Sequence, residues 1–261
     1  VNEYDRNGFK YNTSLPAVFF GSTVDDGFWF GGGLTYVKHG WRKDPFKAKH
    51  SISFKVAPGS QNAFLLGYGG HFPDAVEGAD FVPTISVDFP RYENFFGLGN
   101  ASPAPGTDIQ FNWVRMQSIV VNPLLRTKVG GIEFDFGPVF ESHDIDNVTG
   151  RVGEDPVLGF SNDELKRRNY LGFNLASFLS YQDNAAFPTK VFSFNMSYKF
   201  LRDAAEEENV SNLNTGLGFY VRVFNKPTLV FGTKLGYSKT YGDPLFHQLV
   251  DLGNNTNLRG Y

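Results

Sequence analysis

The side chains best placed to do chemistry lie in one stretch of the chain. Glu133 and Asp135 stand two residues apart and Glu141 follows them. Paired carboxylates are the equipment of general acid and base at a glycosidic bond. Residues two apart on a strand share a face, so Glu133 and Asp135 read more simply as the lining of a wet wall. Just beyond, His143, Asp144 and Asp146 offer imidazole and carboxylate ligands. They fall in a long loop with no second cluster to complete a metal site, so a solvated loop is expected there. Cysteine is absent, which removes thiolate ligands, thiol nucleophiles and a disulfide framework. There is no Gly-x-Ser-x-Gly elbow, phosphate-binding glycine loop or nucleophile triad. No catalytic residue, metal or cofactor is assigned, and the chain is read as non-enzymatic.

The elements that carry these residues are strands. From Gly216 to Tyr237, Leu217, Phe219, Val221 and Val223 alternate with Gly218, Tyr220 and Arg222. After Asn225-Lys226-Pro227 the same alternation returns, with Leu229, Phe231, Leu235 and Tyr237 against Gly232, Lys234 and Gly236. This is a β-hairpin with one apolar wall and one wet wall. Full charges recur on the wet wall along the chain, at Lys55, Glu133, Asp135, Lys199, Arg222 and Lys234, together with the amide of Asn195. A dry core does not take such groups. A membrane barrel turns its apolar wall to lipid and encloses the polar one.

Composition agrees. Of 261 residues, 41% are hydrophobic and 20% charged, which is too polar for a bundle of membrane helices, and Phe 28, Tyr 12 and Gly 29 suit strands, interfaces and barrel bends. A net charge of −3 and a pI near 6.0 give no electrostatic footprint for nucleic acid. About eleven strands are expected, over 16–23, 28–37, 48–57, 63–72, 82–89, 109–121, 132–140, 171–181, 191–200 and the two arms of the hairpin. The sixth loses phase, which predicts a β-bulge near Trp113. A turn is expected at Asn122-Pro123, links over 73–80 and 202–212, a helical turn over 162–168, and a polar tail from Tyr241. Connections after odd strands (91–106, 142–169, 202–212) are longer than those after even ones (122–128, 182–188, 225–227), as in outer-membrane barrels. Most strands are near the ~9–11 residues that cross an outer membrane at a tilt. The fold expected is therefore all-β, a transmembrane antiparallel β-barrel occupying 1–261.

The chain ends Asn257-Leu258-Arg259-Gly260-Tyr261. Leu258-Arg259-Gly260-Tyr261 resembles the (Val/Leu)-Arg-Gly-(Phe/Tyr) motif of the BamA/TamA-like outer-membrane assembly and translocation barrels, the bacterial surface antigen superfamily. Pro16 to Tyr36 is similar to that family's opening hairpin, and Asn94 to Asn100 to its "fyGiGN" run, especially in members from Bacteroidetes. The resemblance implies a sixteen-stranded barrel of which about eleven strands precede the motif, a chain cut before the rest, and a lumen loop pinned by Arg259. It implies a place in the bacterial outer membrane, among lipid and lipopolysaccharide, with client outer-membrane proteins and accessory subunits as partners. The activity it implies is insertion or translocation of proteins through a lateral seam. An alternative is a barrel that anchors a fused hydrolase domain, a phosphoesterase or patatin-like lipase, preceding Val1. A passive pore and a soluble β-protein remain open on the residues alone.

Overall fold

The computed structural model describes residues 10–23, 27–41, 43–59, 63–97, 109–146, 150–155, 164–225 and 228–250. Eleven strands form one antiparallel sheet in sequence order: β1 (Thr13–Thr23), β2 (Gly27–Lys38), β3 (Ala48–Ala57), β4 (Ala63–Val76), β5 (Ala79–Asn94), β6 (Trp113–Val129), β7 (Ile132–Asp146), β8 (Arg168–Gln182), β9 (Val191–Asp203), β10 (Asn209–Asn225) and β11 (Thr228–Gly242). Each strand pairs with its chain neighbour, the simplest meander. The chain divides into two compact units, Val1–Leu125 with Phe140–Arg168 and Arg126–Val139 with Asn169–Tyr261.

In the second unit the registers bring the apolar residues into rows. Tyr181, Phe192 and Phe219 are successive partners, as are Leu179, Phe194, Leu217 and Leu235. Phe173 and Phe200 lie ring to ring at 5.5 Å, and Phe192 and Phe219 at 5.3 Å. This wall is open. Phe219 is 36% exposed, Phe231 64% and Leu235 62%. The first unit repeats the arrangement, with Leu34, Ile52, Tyr68 and Ile85 in one row and Phe64 stacked on Phe89 at 4.9 Å. Among the described residues the buried set includes Asp88, Asn112, Asp135, Glu141, His143, Arg168 and Asp203. A water-soluble sandwich buries its phenylalanines and exposes its acids; here the two are exchanged.

Several element boundaries differ from those the sequence pattern predicts. Where the sequence suggests a strand from Ile109 that loses phase near Trp113, Ile109–Asn112 is a 3-10 turn and β6 starts at Trp113, which accounts for the change of phase. Asn122-Pro123 lies inside β6, and the chain turns at Gly130-Gly131, both at positive φ, where L side chains are strained. The 73–80 link is strand except at Glu77-Gly78, with a register shift between Phe72 and Val76. There Asp74 adopts φ 48 and its N–H donates to Asp80 Oδ1 at 3.0 Å. β7 reaches Asp146, so His143 and Asp144 belong to a strand rather than a loop. The acidic stretch after β9 closes as a turn, in which Asp203 Oδ1 accepts the N–H groups of Ala205 and Glu206. β11 runs on to Gly242, where the sequence suggests an irregular tail, and a 3-10 turn follows at Phe246–Gln248. The sequence places a helical turn over 162–168, of which 162 and 163 lie outside the described residues; β8 already starts at Arg168.

Candidate functional site

The candidate site is the wet wall. In the second unit it is built from aligned rows: Ser180, Ser193, Gly218 and Lys234; Phe178, Asn195, Gly216 and Gly236; Ala176, Ser197, Asn214 and Ser238; Asn174, Lys199, Asn212 and Thr240. Period two on each strand and in-register pairing put these side chains together. Two glycines make room for polar neighbours. A Cβ on Gly216 would stand 2.5 Å from Asn195 Oδ1, and one on Gly218 would collide with Ser193 Oγ. Arg222 and Lys234 are exposed on this wall, and Arg222 Nη2 donates to Thr189 Oγ1 at 2.8 Å.

A bidentate ion pair spans the β6–β7 hairpin. Arg126 donates through Nε to Asp135 Oδ1 and through Nη2 to Asp135 Oδ2, both at 2.7 Å, while Glu133 Oε1 lies 3.3 Å from Nε. Asp135 is 6% exposed. A bidentate guanidinium–carboxylate pair fixes geometry as well as charge. This arrangement is an ion-pair clamp, with both acids facing one arginine rather than flanking a cleft.

In the first unit, Glu141 and His143 share the face of β7 that also buries Ile145, with Nε2 of His143 at 3.2 Å from Glu141 Oε2. Asp144 faces the other way and accepts from Arg167 Nη2 at 2.9 Å. Among the described residues no group of three or more metal-ligating side chains converges. Lys55 lies on the same wall with its Nζ 4.8 Å from the centre of the Trp29 ring, and Phe19 packs against Trp29 at 6.1 Å. Below them the wall turns small and polar through Gly33, Ser53, Gly67 and Ser86.

Of the polar residues read from sequence, Asn195, Lys199 and Lys234 fall in in-register rows of the second unit, Arg222 meets Thr189, Glu133 and Asp135 meet Arg126, and Lys55 lies over Trp29 in the first unit. Leu258, Arg259, Gly260 and Tyr261 lie outside the described residues. Sequence reasoning missed Arg126, because a turn was expected across its position, and missed the burial of Glu141 and His143. The β8–β9 turn adds one more ordered charge. Asp183 accepts from Thr189 Oγ1 at 2.6 Å and from the N–H groups of Thr189 and Lys190, each at 2.8 Å. The hydroxyl of Thr189, then the Lys190 amide, hold this carboxyl far below its usual range.

The sheet leaves β1 at one edge. Its eleven residues pair with β2 from Thr13–Val37 to Thr23–Gly27. It is longer than the 16–23 segment the sequence suggests, and Leu15, Val18 and Phe20 are exposed on it. Pro16 within it lacks a ladder donor, a property that edge strands tolerate.

No family model matches the chain, and no curated protein matches it. Among solved structures it is similar to BamA from Haemophilus ducreyi lacking POTRA domains 1-3, with a TM-score of 0.65 and 15% sequence identity over 97% of this chain and 46% of that one. The chain thus spans less than half the length of this neighbour. At such identity the likeness establishes the fold alone: an all-β antiparallel sheet of the BamA barrel type.

Proposed function

We propose that this chain is barrel sequence of a bacterial outer-membrane assembly or translocation protein, which inserts or passes client proteins through a seam that opens at β1. The observation that carries the reading is the BamA-like fold, in which β1 lies at the edge of the described sheet. An unpaired strand edge accepts an incoming strand by β-augmentation, using the hydrogen bonds a client hairpin must satisfy before it enters lipid. In this reading the apolar wall meets outer-membrane lipid and lipopolysaccharide, and Lys55, Glu133, Asp135, Asn195, Lys199, Arg222 and Lys234 line enclosed water. In this reading Leu258-Arg259-Gly260-Tyr261 is the lumen-loop motif, and Arg259 is its carboxylate-binding residue. No observation favours the fused-hydrolase anchor over this reading.

The 261 residues carry no cysteine, so single cysteines can be placed among them once any elsewhere in the full-length protein are replaced. In the full-length protein, Ser22→Cys on β1 and Ser197→Cys on mid-sheet β9 are challenged with client barrels that carry a single cysteine in a terminal strand. Disulfide capture is expected at Ser22→Cys and not at Ser197→Cys. Capture at neither position, with other barrels assembling normally after depletion of the protein, sinks the proposal.

A further inference from the structure

Resting on the membrane reading above, we propose that the rim formed by the start of β1 and the β2–β3 link is a docking surface for anionic phospholipid headgroups. The link is an ordered platform. Lys43 N–H donates to Gly40 O at 3.3 Å, Lys47 N–H to Lys38 O at 2.8 Å, and His39 N–H to Asn12 Oδ1 at 2.9 Å, which ties the entry of β1 to the exit of β2. On this platform Lys10, Lys38, Lys43 and Lys47 are all exposed, and Trp41 is 80% exposed. Among the described residues of the platform one acid, Asp44, stands against these four lysines, and it pairs with Lys10 at 3.0 Å. Asp74 and Glu77 belong to the turn of the next hairpin, and Asp80 there is engaged by His71 at 2.7 Å.

The position of this charge along the apolar wall identifies the partner. On that wall Tyr36 and His50 stack at 6.5 Å, His50 Nδ1 lies 3.1 Å from the Tyr68 hydroxyl, and Phe72 meets both His50 and Phe81. This is an aromatic band with polar tips, the composition of a bilayer interface. Lys38 continues the same wall two residues past Tyr36, where a long ammonium side chain reaches from the hydrocarbon edge into the headgroups. An exposed tryptophan among lysines just outside an aromatic band matches a surface that is apolar on one side and anionic on the other. Phosphate diester headgroups supply that charge at the depth the band defines, and each lysine near such a surface gains from it until salt screens the field.

The test uses the full-length protein in mixed phosphatidylcholine and phosphatidylglycerol vesicles, with bromine on the acyl chains of one lipid at a time. Trp41 fluorescence is isolated as the difference between the wild type and Trp41→Phe. Bromine on phosphatidylglycerol is expected to quench Trp41 about threefold more strongly than bromine on phosphatidylcholine. That preference is expected to fall with added salt, to vanish in the Lys38→Gln, Lys43→Gln, Lys47→Gln triple variant, and to survive the corresponding arginine triple. Equal quenching by the two brominated lipids in a protein that has inserted overturns the proposal, and capture of an acidic polypeptide by the same lysines would then reassign the surface to a protein. Insertion is read separately, from resistance to detergent unfolding before heating. Failure to insert in any vesicle overturns the membrane reading instead.

Discussion

Arg126 shows how a single side chain can hold a hairpin whose walls face water on one side. Its fork grips Asp135 at two points while Glu133 stands close to Nε. Removing Asp135 strands a guanidinium that is about one-third exposed, so the loss is smaller than for a wholly buried pair. Asp135→Ala is expected to destabilise the folded sheet by about 1–3 kcal/mol in urea titration of the reconstituted protein. The exchange Arg126→Asp with Asp135→Arg is expected to recover most of that; if it recovers nothing, the pair is not what holds the site. Asp183 makes a pH-dependent contribution. Its carboxyl is depressed in the folded turn by the Thr189 hydroxyl and the Lys190 amide, so it binds a proton more weakly folded than unfolded. Its stabilising contribution is therefore complete above the ordinary carboxylate range and disappears as pH falls through and below it. Asp183→Asn is expected to speed proteolysis of the β8–β9 turn at neutral pH, and the gap from the wild type is expected to close in strong acid. A gap independent of pH would assign the effect to lost shape rather than charge.

At the scale of the strand, what was legible depended on what each stretch faces. Where one wall meets an apolar medium and the other water, alternation is forced, and the rows through Phe194, Leu217 and Leu235 could be read directly from the period of two. In the membrane reading proposed above, both walls beyond that band meet polar surroundings, where alternation ceases to signal a strand. Hence β5 continues to Asn94, β7 to Asp146 and β10 starts at Asn209, all in stretches whose composition resembles loop. Prolines misled in the same way. Pro123 lies inside β6 and Pro73 at the register shift of β4, because a strand can place a missing donor where its ladder does not need one. The Arg126 clamp was hidden by the same error, since a turn drawn at Asn122-Pro123 removes the strand that carries it. Cross-strand packing at the sheet edge was likewise invisible to a one-dimensional reading. Gly31 stands opposite Phe19, and a Cβ there would collide with the Phe19 ring and the Phe54 carbonyl. The ring thus covers a glycine that would otherwise leave the β1–β2 ladder bare. Phe19→Ala is expected to weaken that pairing by about 1 kcal/mol, read as faster hydrogen exchange of β1 amides with those of β9 unchanged. Exchange rising equally in both strands would mean that Phe19 supports the whole sheet rather than its edge.

At the scale of the whole molecule, β10 exposes residues of both walls, so exposure there does not by itself name the solvent each wall meets. Leu217 and Asn214 lie three residues apart on β10, on opposite walls, and both are exposed. In a protein surrounded by water, an arginine at either position is a surface substitution and changes stability by no more than about 0.5 kcal/mol. In a barrel crossing a bilayer the two part company. Leu217→Arg pushes a guanidinium into hydrocarbon and is expected to cost about 2–4 kcal/mol if the residue lies near the midplane, whereas Asn214→Arg adds a charge to a wet wall and costs little. Leu217 sits in the row of Leu179, Phe194 and Leu235, between the aromatic contacts of Phe192 with Phe219 toward one end of the strands and of Phe173 with Phe200 toward the other. This position between two aromatic bands is where the midplane is expected. Reversible urea unfolding in vesicles measures both variants against the wild type. A large difference with the loss at Leu217 places lipid on the phenylalanine wall. Equal small effects leave the chain in water, and a loss confined to Asn214 inverts the sheet.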